Sequence, residues 1–268
     1  MTIDFLLLLL LLGAVVGVLS GLLGIGGGAL LVPALTAVFM AMELPSNKVV
    51  HLALGTSMAC IILTSLSSFW AHHRRGSVRW PIVGYMVPGI LVGTFAATFI
   101  AAQIPSLYLA IFFAVFMSYV AMGLFINKPA KAGANVGSPA TLTLVGSGIG
   151  AISALVSIGG GTLTVPYLSA RNIPITQAIG TSAACGFPIA LAGTLGYVIN
   201  GLASNDMMYT TGFVYWPAVA LIAVTSFFSA PVGVKLAHTL SVTVLKKLFA
   251  VFVVFISLNM IRTVIGSA

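Results

Sequence analysis

The residues best placed to do chemistry in this chain are glycines and hydroxyls. Two triples, Gly26-Gly27-Gly28 and Gly159-Gly160-Gly161, interrupt long apolar runs, and each is followed by a second apolar stretch containing a proline, Pro33 or Pro166. Three successive glycines lower helix propensity by roughly 1 kcal/mol each relative to alanine, so each triple predicts a helix break. A helix restarting after the break presents unpaired N–H groups and the positive end of its dipole. Glycine has no side chain in the way, so an anion can approach those groups closely. Small residues also serve simply to pack membrane helices tightly. Further along, Thr56-Ser57 and Thr181-Ser182 offer hydroxyls that either donate to an oxyanion or satisfy the carbonyl four residues back.

Other chemistries are poorly supplied. Only three acids occur, Asp4, Glu43 and Asp206, and none lies within an apolar run. The two cysteines, Cys60 and Cys185, form no CxxC pair and have no nearby histidine, which leaves neither a zinc site nor a disulfide framework and makes them packing residues. An intramembrane enzyme needs an embedded acid, nucleophile or metal constellation. The reading is therefore of a non-enzyme with no metal or cofactor. His51 reads as an interfacial histidine, His72 and His73 as solvated, and Asn200 and Asn259 as helix-end or interhelical polar contacts.

The elements that position these residues follow from composition. Of 268 residues, 60% are hydrophobic and 5% charged, with a mean hydropathy of +1.18. A soluble domain carries about a quarter charged residues, and a disordered chain needs low hydrophobicity, so both are excluded. The net charge of +8 is dispersed over connectors without an aromatic-basic stripe, which argues against a nucleic-acid partner. The partner implied is the lipid bilayer: this is a polytopic, all-α membrane protein. The first residues lack a basic segment and an A-x-A site, so they read as a retained span.

A bilayer core about 30 Å thick needs about 20 apolar residues per helix. Segments 49–71, 81–102, 107–126, 178–200, 215–237 and 242–264 satisfy this. Residues 5–24 form a further apolar helix, followed after the first triple by 29–42. Residues 140–158 lead into the second triple, and the nine residues 162–170 are too short to cross alone. If each broken pair returns to the side it entered from, nine of the eleven basic residues share one side, leaving Lys48 and Arg262 opposite. If each pair is a single crossing, that bias disappears. The positive-inside rule therefore favours hairpins, with both termini external, and the compactness of the chain suits a bacterial cytoplasmic membrane.

The two halves resemble one another. Residues 25–35, IGGGALLVPAL, align with 158–168, IGGGTLTVPYL, at eight of eleven positions; 53–60, ALGTSMAC, align with 178–185, AIGTSAAC, at six of eight. Trp80-Pro81 then matches Trp216-Pro217, and residues 113–116, FAVF, match 249–252. A hairpin plus three crossings per half is an odd number, so the second half is expected upside down relative to the first. The expected organisation is a first repeat over 1–128, a cytoplasmic linker over 129–139 and an inverted repeat over 140–268. Inverted repeats with interrupted helices are a recurring plan of secondary transporters, with substrate near the midplane.

These doubled blocks resemble the sulfite exporter TauE/SafE family of membrane permeases, over about residues 5–264. The resemblance implies transport of small sulfur-containing anions such as sulfite, sulfonates, sulfoacetate and thiosulfate. Its hallmark positions here are Gly26, Gly27, Gly28, Thr56, Ser57, Gly159, Gly160, Gly161, Thr181 and Ser182, with Pro33 and Pro166 supporting the breaks. The expected function is an exporting, alternating-access permease; the alternatives are an anion-selective channel or a permease for another small organic anion. The sequence leaves a homodimer open. The stretch between the glycine triple and the Gly-Thr-Ser block is eight residues longer in the first half, which sets a limit on strict symmetry.

Overall fold

The computed structural model describes residues 3–23, 27–45, 47–126, 136–204 and 208–237, with 251, 254–255, 257–262 and 265–266 near the C-terminus. The helices described are α1 (Ile3–Leu23), α2 (Gly28–Ala41), α3 (Val49–Arg74), α4 (Trp80–Gln103), α5 (Ser106–Ile126), α6 (Pro139–Val156), α7 (Gly161–Ser169), α8 (Ile175–Gly201) and α9 (Trp216–Ala237). Among the described residues, six helices are long and apolar enough to cross a membrane: α1, α3, α4, α5, α6 and α8. The chain is an all-α, multi-pass membrane protein. Gly26, Asp206, most of the expected linker and most of the expected 242–264 span lie outside the described residues.

Glycine spacing decides how these helices pack. Gly89 and Gly93 of α4 lie against the carbonyls of Thr143 and Ser147 of α6, while Gly146 and Gly150 of α6 lie against Met86 and Ile90 of α4. The contacts advance together along both helices, so α4 and α6 run parallel. α1 and α9 pair in the same sense, Gly13 and Gly17 lying against Ile222 and Ser226. Without a hydrophobic drive inside lipid, such small-residue stripes let backbones approach and gain dispersion contacts. Gly93→Leu and Gly17→Leu are each expected to destabilise by about 1–3 kcal/mol through overpacking. Thermal unfolding in detergent checks this, and unchanged midpoints would remove the need for close approach.

At the centre, α3 and α8 run antiparallel, with Gly55 beside Tyr197, Met58 beside Gly193 and Ser65 beside Gly186. Cys60 and Cys185 are fully buried there as free thiols. The connectors sort to two ends. At one, Arg79 Nε donates to Gln177 Oε1 (2.7 Å), Arg171 lies over the Tyr167 ring (3.7 Å) and the Tyr167 hydroxyl donates to the Val136 carbonyl (3.4 Å). At the other, Ser106 Oγ donates to the Asn47 carbonyl (2.7 Å) and His51 packs on Phe213 with ring centres 5.1 Å apart. The connectors before α6 and after α7 thus share an end, as a hairpin requires.

The connector between α8 and α9 is not an irregular loop. It folds into a short antiparallel hairpin, β1 (Thr210–Thr211) with β2 (Val214–Tyr215), pairing Thr210 with Tyr215 and Thr211 with Val214. Phe213 and Val214 are buried, and the Phe213 N–H donates to the Tyr197 carbonyl (3.1 Å). The apolar residues around Gly212 carry the segment into the bundle, because leaving them in water forfeits their burial.

Candidate functional site

Both breaks centre on the middle glycine. Gly27 (φ 73°, ψ −17°) caps α2 and Gly160 (φ 78°, ψ −19°) caps α7, each in the left-handed region. An L-residue there costs roughly 1–2 kcal/mol, which is why glycine occupies these turns. Both helices then close their first turn on the cap. Leu30 and Leu31 donate to the Gly27 carbonyl (3.1 and 3.2 Å), and Leu163 and Thr164 to that of Gly160 (3.2 and 2.8 Å). Among the described residues, the N–H groups of Gly28, Ala29, Gly161 and Thr162 have no partner, as the first turn of a helix dictates. Pro33 and Pro166 lie inside α2 and α7 and lack an N–H, so each withholds the usual bond from the carbonyl four residues back, Ala29 or Thr162.

The breaks meet at mid-height of the α3–α8 pair. A Cβ on Gly28 would run into the Ser157 carbonyl at the end of α6 and lie 2.8 Å from Ile61 Cδ1. A Cβ on Gly160 would lie 2.8 Å from Ile189 Cδ1, and the Gly159 carbonyl packs against Gly186. Ile61 and Ile189 stand near the middles of their helices.

The broken end of α6 is closed by residues that sequence reasoning did not single out. Ser157 ends the helix (φ 49°, ψ 51°), and its Oγ donates to the Leu54 carbonyl (3.2 Å). The Tyr197 hydroxyl donates to the Ala154 carbonyl (2.9 Å), which lies in the last turn of α6. The available signal was Tyr197 itself, since a phenol inside an apolar span must find a partner.

The four hydroxyls of the Gly-Thr-Ser blocks divide into two roles. Thr56 Oγ1 accepts from the Tyr215 N–H (3.0 Å) and Thr181 Oγ1 accepts from the Arg79 N–H (3.0 Å). Gly55 and Gly180 leave room for the carbonyls of Phe213 and Ser77 beside them. The threonines therefore pin the turns that precede α9 and α4. Those turns share a pattern not used in the sequence comparison: residues 76–81, GSVRWP, against 212–217, GFVYWP, with Gly76 at φ 65° and Gly212 at φ 59°. Ser57 and Ser182 behave differently, their Oγ atoms being buried without a hydrogen-bond partner. Ser57 lies one turn from both Leu54 and Ile61, and Ser182 one turn from Gly186, so both occupy the helix faces turned to the breaks.

Thr56→Val removes the acceptor of a buried backbone N–H, expected to destabilise by about 1–3 kcal/mol, and Thr181→Val removes that of a part-buried one, at the lower end of that range. Thr→Ser at either position should recover most of it in thermal unfolding. Valine variants as stable as the parent would remove the pinning role.

His51 lies near the start of α3 and is 4% exposed, with Nε2 3.0 Å from the Ala101 carbonyl and Nδ1 3.3 Å from Ser106 Oγ, tying α3 to the α4–α5 corner. Asn200 behaves as expected, its Nδ2 donating across to Thr98 Oγ1 of α4 (3.2 Å).

A family model described as "Sulfite exporter TauE/SafE" matches residues 9–260. The chain belongs to the sulfite exporter TauE/SafE family. A probable membrane transporter protein of Haemophilus influenzae is 36% identical over 261 residues, covering 96% of this chain and 98% of the relative. The probable membrane transporter protein YdhB of Bacillus subtilis is 29% identical over 254 residues, 90% and 94% of the two chains. One from Methanocaldococcus jannaschii is 27% identical over 250 residues, 89% and 90% of the two chains. This TauE/SafE protein is a membrane transporter.

Proposed function

We propose that this transporter is a permease for small sulfur-containing anions, sulfite or organosulfonates, and exports them by alternating access. The observation that carries the reading is the matched pair of glycine caps, Gly27 and Gly160, each followed by unpaired N–H groups, with Gly28 packed against Ser157 at the broken end of α6. Two positive helix ends attract an anion where no basic side chain stands mid-span. Ser57 and Ser182 add hydroxyl donors on the facing helices, so Gly26–Gly28, Gly159–Gly161, Ser57 and Ser182 form the site, with Thr56 and Thr181 holding its walls.

Residues 1–128 and 140–268 act as inverted repeats joined by 129–139. Supporting this are the equivalent bonds of Thr56 with Tyr215 and Thr181 with Arg79, and the antiparallel course of α3 and α8. Because α1 packs on α9 and α6 on α4, each half grips the other. Alternation then runs through the broken hairpins rather than by separation of two blocks.

A thermal-shift screen of the purified protein against sulfite, sulfate, thiosulfate, taurine and sulfoacetate tests the reading. A ligand at 100 times its Kd adds about 2.7 kcal/mol, a readily measured rise in midpoint. Saturable counterflow of the binder is the expected transport behaviour. No shift with any of these anions would overturn the proposal.

A further inference from the structure

Arginines gather at the end of the bundle where α3 finishes and α4 and α8 begin. Arg74, Arg75, Arg79 and Arg171 all belong to its connectors or helix ends, and the chain contains no acid between Glu43 and Asp206. Asp4 and Glu43 adjoin the opposite end. Asp4 opens α1, which starts beside α9, and Glu43 stands between Met42 and Leu44, which share a cavity with Tyr215. Among the described residues, the guanidinium groups therefore have no carboxylate to pair with.

One of them is built into a cavity. Between the first turns of α4 and α6 lies a space of about 220 Å³, whose lining includes Arg79, Ile82, Tyr85, Val136, Leu142 and Ile173. Arg79 is the one charged residue among the described residues that line it. Its backbone N–H donates to Thr181 Oγ1 (3.0 Å) and its Nε to Gln177 Oε1 (2.7 Å). The side chain is thus held in place, and its two terminal nitrogens have no partner among the described residues. The Val136 carbonyl accepts from the Tyr167 hydroxyl, and the Tyr167 ring carries the Arg171 guanidinium at 3.7 Å. A second cation stands behind that wall.

The cavity is shallow, because α4 and α6 close on each other below it. Gly89 meets the Thr143 carbonyl there, and Thr143 Oγ1 donates to the Tyr85 carbonyl (2.8 Å). Its rim is aromatic: Trp80 and Tyr85 are each 47% exposed, as rings at a membrane–water boundary are. From the rim, Tyr85, Pro88 and Val92 continue along one exposed face of α4 toward the hydrocarbon.

We infer that this cavity holds the head group of an anionic phospholipid. The phosphodiester takes the place of the missing carboxylate on the Arg79 fork, which suits two parallel hydrogen bonds. The fatty chains lie outside, along Tyr85, Pro88 and Val92. Arg74, Arg75 and Arg171 repel the cation of a zwitterionic head, so net negative charge decides between lipids. The positive-inside rule puts this end in the cytoplasm, where the leaflet carries its anionic lipids. None of this depends on which solute is carried.

The test is titration of the full chain, delipidated in detergent, with dioctanoyl phosphatidylglycerol, dioctanoyl phosphatidylcholine and glycerol phosphate. Wild type, Arg79→Gln and Arg74→Gln are compared by calorimetry. In wild type, phosphatidylglycerol is expected to bind at least about tenfold more tightly than either other probe. Arg79→Gln is expected to weaken it at least about tenfold, the loss of charge-assisted hydrogen bonds. Arg74→Gln removes the same charge from the same end, but Arg74 lies over the Trp70 ring (5.4 Å) and not in the cavity. It is expected to leave binding within about twofold.

Phosphatidylcholine bound as tightly as phosphatidylglycerol overturns the proposal. So does equal weakening by Arg74→Gln and Arg79→Gln, which means diffuse attraction to a basic surface. Glycerol phosphate bound as tightly as the lipid makes the ligand a soluble phosphate and overturns the lipid assignment. Should Arg79→Gln fail to fold, Gln177→Leu releases the guanidinium instead, and unchanged phosphatidylglycerol binding in that variant overturns the site.

Discussion

Gly27→Leu combined with Gly160→Leu is expected to lower sulfite affinity by at least about 100-fold and to abolish counterflow. Each leucine is forced into a left-handed backbone, at φ 73° and φ 78°, which costs roughly 1–2 kcal/mol. At Gly160 the new Cβ would also sit 2.8 Å from Ile189 Cδ1, and the rest of the side chain would crowd the unpaired N–H groups of Gly161 and Thr162. A hydrogen bond to a charged group contributes about 1.5–3 kcal/mol, so losing two accounts for a factor of about 100 or more. Gly160→Asn separates strain from blockade, because asparagine tolerates the left-handed region better than other side chains. It is expected to keep the fold, judged by circular dichroism and unfolding midpoint, while still weakening binding. Equal sulfite affinity in the parent and the double leucine variant would take the breaks out of the site.

Transport should respond steeply to membrane potential. Asp4 sits in the first turn of α1 and Glu43 just beyond α2, so neither provides a carboxylate in mid-span for a proton relay. A singly charged anion moving alone gains ~2.3 kcal/mol per 100 mV, equivalent to a distribution ratio of about 50-fold at equilibrium. A potential that is negative inside therefore drives exit. Proteoliposomes with imposed potassium-diffusion potentials measure the effect: labelled sulfite should distribute with the sign and roughly the size of that ratio. A flux indifferent to voltage would mean electroneutral exchange or cotransport and would remove uncoupled export.

Much of the architecture was legible because its signals are local. The apolar runs at 49–71 and 81–102 became α3 and α4 with ends shifted by a few residues, and the run 162–170, too short to cross, became the nine-residue α7. Hydropathy over a single helix and glycine's lack of a Cβ act within a turn or two, so no distant residue is needed to read them. The hairpin at 210–215 escaped notice for the opposite reason. Its segment reads as a polar connector, and only the space between α3 and α8, opened by Gly55 and Gly201, draws Phe213 inward.

The candidate hydroxyls show the same division more sharply. Thr56 and Ser57 are neighbours of similar chemistry, yet one accepts a backbone N–H from a residue 159 positions away and the other has no partner. From the sequence alone came the membrane class, the two glycine breaks and the doubled blocks, because composition, helix propensity and repetition are properties of short stretches. Which hydroxyls brace the walls, which remain open, and that α1 grips α9 while α6 grips α4 were decided only by the folded bundle. Such choices depend on which backbone groups arrive opposite one another, and that is set by packing between segments far apart along the chain.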